Sequence, residues 1–286
     1  MTVEETCRES SVSRAGFYRH WHRCGPTAEE TELRDRLQVL ALQQRTYGYR
    51  RIAALLRREG RLVNHKRVLR LLREDNLLAL RKKRFISTTD GRHAWRAWPN
   101  LARWTKPDGP NRQWVADITY LRLRGEFCYL AVVLDVWSRH VVGWALSNDL
   151  TANLTLDALR AALSERRPQP GWIHHSDRGT QYACGDYVAL LEQHGAQISM
   201  SRPGNPYDNA LCESFIGKLK HEQWDGRRYQ NLAEVRADLG RMLDEVYNHQ
   251  RLHSALGYLS PAEFETINAN PAQQQPDNLS LVSALR

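Results

Sequence analysis

A change of hydropathy pattern near residue 111 constrains the fold of this chain most strongly. Beyond it, three apolar segments with short connections predict antiparallel strands, after which helices and strands alternate. The strands are predicted at 114–123, 127–138, 140–147, 171–177 and 196–201, and the helices at 155–167, 187–195, 208–224 and 232–251. This order predicts an α/β domain with a mixed five-stranded sheet.

The charge of the chain is concentrated in its first part. Residues 1–110 hold 24 Lys+Arg and 12 Asp+Glu, a net charge of +12, whereas residues 111–286 hold 17 and 20, a net charge of −3. Such asymmetry favours a basic arm that binds nucleic acid or an anionic membrane. The alternative is a set of solvated basic helix faces with no ligand.

Helical periodicity in the basic part favours nucleic acid. Short helices are predicted at 4–10 and 13–21, and longer amphipathic ones at 31–44, 47–60 and 65–75. The first two have the size of a helix-turn-helix. The last two carry arginines and lysines outside an apolar stripe, which fits a DNA major groove or a phosphate track; a purely structural helical hairpin is the alternative. The DNA-contact residues predicted here are Arg50, Arg51, Lys66, Arg67 and Arg70.

The domain prediction follows from these patterns. Residues 1–80 form a basic all-α region, 81–109 a linker rich in Pro and charge, 110–267 the α/β core with its C-terminal helices, and 268–286 a disordered tail. No run of about 18 apolar residues predicts a membrane span, and the N-terminus has no signal-peptide pattern. The five scattered cysteines predict free thiols and a cytoplasmic location, associated with the nucleoid.

Three carboxylates lie where this fold can bring them together. Asp117 is in the middle of an apolar strand, Asp177 ends the fourth strand, and Glu213 is on a helix with 35 residues between it and Asp177. A buried acid is unfavourable unless it is paired or bound to metal. Two rivals to Glu213 are considered: Asp208, which is predicted to cap the helix, and Glu222. Asp135 is a structural or metal-contacting alternative.

Five sequence words carry a family resemblance. They are WVADITYL, DVWSRHVVGW, HHSDRGTQYA, SRPGNPYDNALCESFIGKLKHE and YNHQRLHSALGYLSPAEFE, in this order. The chain thereby resembles the OrfB-type transposases of bacterial insertion sequences, within the DDE transposase and retroviral-type integrase superfamily. The resemblance covers roughly residues 100–265, and the helix-turn-helix-like region before them is similar to that of the same proteins.

The resemblance implies a fold, a reaction and partners. It implies an RNase H-like core in which Asp117, Asp177 and Glu213 are the catalytic triad and bind two Mg²⁺ or Mn²⁺ ions. The reaction is strand cleavage at the element ends followed by 3′-OH strand transfer, that is, DNA integration. The implied partners are double-stranded DNA (terminal repeats and target), further copies of the chain in a synaptic complex, and a first-frame protein supplying a helix-turn-helix and a leucine zipper. Because the chain has no heptad run, it is expected to depend on that partner or to be incomplete for end recognition.

Further DNA contacts are predicted in the second part of the chain. Lys220 lies two helical turns after Glu213 on the same helix face, so it is expected to grip DNA beside the acids; a solvated lysine is the alternative. Lys218 is a weaker candidate on another face. His175 and Arg251 are also predicted to contact DNA, with a structural histidine and packing contacts as the respective alternatives.

Two rival functions remain open at this stage. One is a DNA-binding protein with an inactive RNase H-like domain, which the presence of all three acids disfavours. The other is a metal-dependent nuclease of the same fold that does not transfer strands.

Overall fold

The computed structural model describes residues 2–21, 27–79, 97–123, 126–202, 205–223 and 229–269. The chain divides into two compact units, Met1–Arg81 and Lys82–Arg286. Most of the predicted linker and nearly all of the predicted tail lie outside the described residues.

The first unit is entirely helical in its described part. Thr2 and Ser13 cap its first two helices, since their hydroxyls accept hydrogen bonds from Glu5 N and Gly16 N at 3.3 and 3.0 Å. Thr27 and Asn64 cap two of the later ones. The helices are α1 (Val3–Glu9), α2 (Arg14–Trp21), α3 (Ala28–Gln43), α4 (Tyr49–Arg58) and α5 (His65–Glu74).

Helices α3, α4 and α5 pack on one another around a small core. Each contributes leucine, isoleucine or valine at three- or four-residue spacing, which places the side chains on one helix face. The buried side chains are Leu33, Leu37, Leu40, Ile52, Leu56, Val68, Leu71 and Leu72. The basic residues on these helices therefore lie on the remaining faces.

The second unit contains a five-stranded sheet with the order β3-β2-β1-β4-β5. Neighbours β1–β2 and β2–β3 are antiparallel, whereas β1–β4 and β4–β5 are parallel. The mixed α/β sheet predicted from the sequence is therefore confirmed. The strands are β1 (Gln113–Arg122), β2 (Phe127–Asp135), β3 (Val141–Ser147), β4 (Ile173–Ser176) and β5 (Gln197–Met200).

Helices cover both faces of the sheet. One core contains Trp114, Ala116 and the apolar face of α6, while the other contains Val115, Leu121 and the inward face of α9. Adjacent residues of β1 thus point to opposite cores, as strand geometry requires. The helices are α6 (Ala152–Arg166), α7 (Thr180–Ala183), α8 (Gly185–Gln193), α9 (Ala210–Gln223), α10 (Leu232–Gly240) and α11 (Pro261–Ala269).

The long helix predicted at 232–251 changes its winding halfway. α10 continues without a break into a π-helical segment, Arg241–Gln250. Asn248 in this segment donates to Val141 O at 3.1 Å and accepts from Val141 N at 3.0 Å. Asp244 accepts a hydrogen bond from Trp144 Nε1 at 3.0 Å. The segment is therefore fixed to the edge strand β3.

Part of the predicted linker belongs to the second unit. Trp98 packs against the core that contains Trp114. Leu101 N and Ala102 N donate to Ser199 Oγ at 2.9 and 3.3 Å, so this stretch follows β5. The linker prediction is wrong for these residues, because turn-favouring prolines do not prevent a segment from packing along a sheet.

Two further sequence predictions concern cysteines and membranes. Cys7, Cys128, Cys184 and Cys212, the cysteines within the described ranges, are free thiols, as predicted. No helix in the described part of the chain is long and apolar enough to cross a membrane.

Candidate active site

Asp117 lies in the middle of β1, on the side of the sheet that faces α9. Val115 and Leu121 have the same parity along the strand and belong to the core on that side. The Asp117 carboxylate accepts a hydrogen bond from Ile118 N at 2.8 Å. The strand therefore presents a partly exposed acid from an otherwise apolar run.

Asp177 follows directly after β4, next to Asp117. β4 pairs with β1 in parallel, and Val115 is opposite His175. Asp117 and Asp177 each follow two residues later, and Asp177 is near enough to raise the pKa of Asp117. The Asp177 carboxylate accepts from Gly179 N at 2.9 Å, which closes a tight turn. A Cβ added at Gly179 would lie 3.0 Å from Asp177 Oδ1. Glycine thus leaves room for the carboxylate.

Glu213 lies in the first turn of α9, which packs on β1. The start of this helix is held by buried Asn209, whose amide donates to Ala116 O at 3.1 Å. Cys212 and Phe215, on either side of Glu213, are buried in the core below. The Glu213 side chain is exposed.

Asp177 and Glu213 are near enough to Asp117 to affect its pKa. The pKa of Asp117 rises to about 8, first because of burial, then because of Asp177 and, more weakly, Glu213. The pKa of buried Cys212 is raised by burial and by the same three carboxylates. Burial also raises the pKa of Glu213.

Lys220 supplies a cation beside these acids. Burial lowers its pKa, and Asp117 opposes that effect. Its Nζ lies 4.2 Å from the centre of the Tyr120 ring. Lys218 points elsewhere, lining a small pocket with Arg139 and Tyr247. The separation of the two lysines follows from their two-residue spacing on a helix.

The donor set fits a hard divalent cation. In the described part of the chain, no three His, Cys, Asp or Glu side chains already stand close enough to hold one ion. Asp177 and Glu213 nevertheless lie near enough to Asp117 to raise its pKa. Carboxylate oxygens are the ligands that Mg²⁺ and Mn²⁺ prefer, and a bound cation would remove this repulsion.

The structure argues against DNA contact by His175 and Arg251. His175 is fully buried, with Nδ1 2.8 Å from Ser199 Oγ and Nε2 3.1 Å from Ser201 Oγ. Arg251 is 3% exposed and donates to both carboxylate oxygens of Glu222. Both side chains form hydrogen bonds inside the fold. This agrees with the alternatives of a structural histidine and of packing contacts by Arg251.

The neighbouring acids have structural partners. Asp135 is fully buried and accepts hydrogen bonds from Asn111 N, Trp137 N and Ser138 N. Asp208 accepts hydrogen bonds from the backbone and guanidinium of Arg202, and its role as a cap of α9 stays a prediction. Glu222 is paired with Arg251. These three carboxylates are therefore set apart from the candidate site.

In the first unit, several predicted DNA-contact residues have acidic neighbours. Arg67 and Arg70 each lie 3.6 Å from Glu30, and Arg70 also pairs with Glu74 at 3.2 Å. The guanidinium of Arg50 lies 5.4 Å from the Tyr49 ring centre, and that of Arg51 lies 5.1 Å from the Tyr47 ring centre. Lys66 is exposed in the first turn of α5.

The chain matches three families by sequence. Two matches carry the description "Integrase core domain", over residues 107–206 and 194–261, and together they span all three candidate acids. The third is an "HTH-like domain" over residues 28–85. The helix-turn-helix-like match therefore covers α3 to α5, whereas α1 and α2 lie before it.

Relatives agree with these matches over most of the chain. An uncharacterized 31 kDa protein of insertion element IS600 from Shigella sonnei is 40% identical, covering 90% of this chain and 96% of that protein. Transposase InsF of IS3A from Escherichia coli K12 is 36% identical, covering 93% and 95%. This chain belongs to the insertion-sequence transposases. The IS904 transposase of Lactococcus lactis is 38% identical to this chain. The alignment covers 78% of this chain and 88% of the IS904 protein.

The solved catalytic core domain of HTLV-2 integrase, in complex with magnesium, is 15% identical and has a TM-score of 0.41. The superposition covers 56% of this chain and 99% of the integrase domain.

Proposed function

We propose that this chain cleaves DNA strands at the ends of an insertion sequence and transfers the resulting 3′-OH ends to a target. The proposal is supported by the placement of Asp117 on β1, of Asp177 directly after β4, which pairs with β1, and of Glu213 on α9, which packs on β1; Asp177 and Glu213 also raise the pKa of Asp117. Membership of the insertion-sequence transposases supports the choice of DNA as substrate.

In this proposal Asp117, Asp177 and Glu213 hold two Mg²⁺ or Mn²⁺ ions. When bound, such ions activate a water and stabilise the leaving oxygen of a phosphodiester. The protein groups fix the ligands: Gly179 N holds the Asp177 carboxylate, and Asn209 ties the start of α9 to β1. Lys220 is placed to bind a DNA phosphate next to the acids.

Two steps account for the reaction. In the first, a water oxygen bonds to phosphorus, the bond from phosphorus to the 3′ oxygen breaks, and a 3′-OH is released. In the second, that 3′-OH bonds to a target phosphorus and a target 3′ oxygen leaves. Phosphodiesters are conserved in the second step, so no external energy source is needed.

The proposed reaction also implies the partners of the chain. Terminal repeats bind the basic helical unit through phosphates, with Arg50, Arg51 and Lys66 as the main contacts and Arg67 and Arg70 as partly neutralised ones. Lys218 remains a secondary contact. Several copies assemble with two element ends and a target in the bacterial cytoplasm, at the nucleoid, and a first-frame protein supplies further end recognition.

A strand-transfer assay tests the proposal. Labelled duplexes carrying the terminal repeats are incubated with the full chain in Mg²⁺ or in EDTA. Product is expected in Mg²⁺ alone, and Glu213→Gln is expected to lower its rate by about 10³-fold, since metal-assisted stabilisation contributes several kcal/mol. Glu192→Gln, an exposed acid on α8, is the matched control and retains activity.

The outcomes separate the rival functions. A chain that binds the duplex equally well as wild type and Glu213→Gln but yields no product is a DNA-binding protein with an inactive core. Cleavage without transfer, even from a pre-cleaved end that carries a free 3′-OH, identifies a nuclease. Equal product in Mg²⁺ and EDTA rejects the mechanism.

A further inference from the structure

An exposed aromatic pair lies on the hairpin formed by β1 and β2. Tyr120 is 43% exposed and Phe127 is 47% exposed, although both are large apolar side chains. Their ring centres are 5.6 Å apart and the rings are nearly perpendicular, at 88°. Neither ring is part of the two cores on either side of the sheet. The fold alone does not account for two such rings in solvent.

The strand register explains why the rings meet. Tyr120 pairs with Tyr129, and Arg122 pairs with Phe127, across the antiparallel ladder. Residues two apart on a strand share a face, so Tyr120, Arg122 and Phe127 project from the same side. Tyr120 and Phe127 are diagonal neighbours, within reach of aromatic side chains.

Cations border both rings. Lys220 Nζ lies 4.2 Å from the centre of the Tyr120 ring, and the Arg122 guanidinium lies 5.9 Å from that of Phe127. Lys220 also interacts with Asp117. Tyr120, Phe127, Arg122 and Lys220 are here named the aromatic platform. By strand alternation the three hairpin side chains lie on the side of the sheet opposite to Asp117, and Lys220, on the helix that carries Glu213, connects them to the acidic triad.

We infer that the aromatic platform binds unpaired nucleotides of a DNA strand, with bases stacked on Tyr120 and Phe127 and phosphates near Arg122 and Lys220. Exposed rings combined with cations are the recurring means of binding single strands, and stacking tolerates any base. Two cations beside two rings match a polyanion with flat bases better than an apolar protein partner. The inference rests on the proposed function, because it takes DNA as the ligand of the triad.

Binding to synthetic duplexes tests the aromatic platform without catalysis. The full chain in EDTA is titrated against two DNA duplexes, one blunt and one with a four-nucleotide single-stranded end that carries 2-aminopurine. The wild type is expected to bind the overhang duplex about ten-fold more tightly and to quench the 2-aminopurine. Tyr120→Leu is expected to reduce this preference to about two-fold, whereas Tyr120→Phe, which keeps the ring, retains it.

A matched control distinguishes the aromatic platform from exposed rings in general. Trp104 is 81% exposed and the Arg103 guanidinium lies 4.8 Å from its ring centre. Trp104→Leu is expected to keep the overhang preference. An unchanged preference in Tyr120→Leu, or an equal loss in Trp104→Leu, overturns the assignment to Tyr120 and Phe127.

The result is independent of the strand-transfer assay. If the wild type transfers no strands but its overhang preference depends on the Tyr120 ring, the aromatic platform stands and the proposed reaction fails. If strand transfer is normal and the overhang preference is absent, the proposed function stands and the aromatic platform is rejected.

Discussion

The two units of this transposase place their charged side chains differently. In the first unit, ion pairs such as Arg36–Glu59 and Arg61–Glu32 lie at the surface, with partners that are 30–65% exposed. In the second unit, Arg251–Glu222 is buried, and three carboxylates of like sign gather beside one lysine. Surface pairs are weak and screened by salt, whereas buried charges depend strongly on their partners. The difference suits the first unit to exchange its partners for phosphates and the second to hold a fixed arrangement.

The largest expected contrast comes from removing one arginine in each unit. Arg251→Leu leaves the buried Glu222 carboxylate without its main partner and is expected to destabilise the second unit by about 3–5 kcal/mol. Arg36→Leu breaks a surface pair and is expected to change the stability of the first unit little. Hydrogen exchange of peptides from each unit, followed by mass spectrometry, measures both effects in the full chain.

A paired replacement serves as the control for this comparison. Glu222→Met combined with Arg251→Leu removes both charges and is expected to restore most of the lost stability. Similar losses for the two single variants would show that the burial of the pair does not set its importance.

A second, smaller effect is expected on the free energy of unfolding when the pH is lowered. His174 is fully buried, next to the Tyr187 hydroxyl at 3.0 Å, and burial lowers its pKa from 6.5 to about 3. As the pH falls below about 6.5 the unfolded chain takes up this proton first, so the free energy of unfolding falls between pH 6.5 and 3. We expect His174→Gln to reduce the loss of stability between pH 7 and 5 by about 1–2 kcal/mol.

Urea unfolding of wild type and His174→Gln at the two pH values measures this effect. A loss of stability that is the same in both proteins would mean that His174 accepts a proton while folded, contrary to its burial. Lys66→Ala, an exposed residue of the first unit, is the control and is expected to leave the pH dependence unchanged.

The smallest effect concerns DNA affinity of the first unit. Glu30 lies 3.2 Å from Arg34 and 3.6 Å from both Arg67 and Arg70. Glu30→Gln is expected to free arginine charge for phosphates, raising affinity for a DNA duplex a few-fold and steepening its salt dependence. Fluorescence anisotropy at several salt concentrations checks this, with Glu4→Gln on α1 as control. An unchanged DNA affinity and an unchanged salt dependence would show that Arg34, Arg67 and Arg70 do not contact DNA.

Local patterns were sufficient to predict much of the second unit. The apolar strands and amphipathic helices predicted the mixed sheet, and the position of Asp117 inside an apolar run marked it as unusual. The triad assignment itself came from the family resemblance and stays a prediction. Its geometric support is the parallel pairing of β1 with β4, together with the effect of Asp177 on the pKa of Asp117.

Long-range contacts explain what the sequence did not reveal. His175 is buried because Ser199 and Ser201, more than 20 residues later, supply partners for both ring nitrogens. Arg251 is buried because Glu222 reaches it from another helix. No local spacing predicts such pairings. The aromatic platform was missed for a related reason: alternation along β1 suggested ordinary strand residues, and Phe127 meets Tyr120 only once the hairpin has formed.

The bond of Asn248 to both polar groups of Val141 has a consequence for assembly. The Asn248 amide occupies the backbone N–H and C=O of Val141, as a neighbouring strand would. These two groups at the edge of β3 therefore cannot form hydrogen bonds with another chain. Copies of the transposase therefore cannot join by continuing the sheet through Val141. A strand from another chain could extend the sheet along β3 only beyond Val141, so the start of this edge is closed to strand addition.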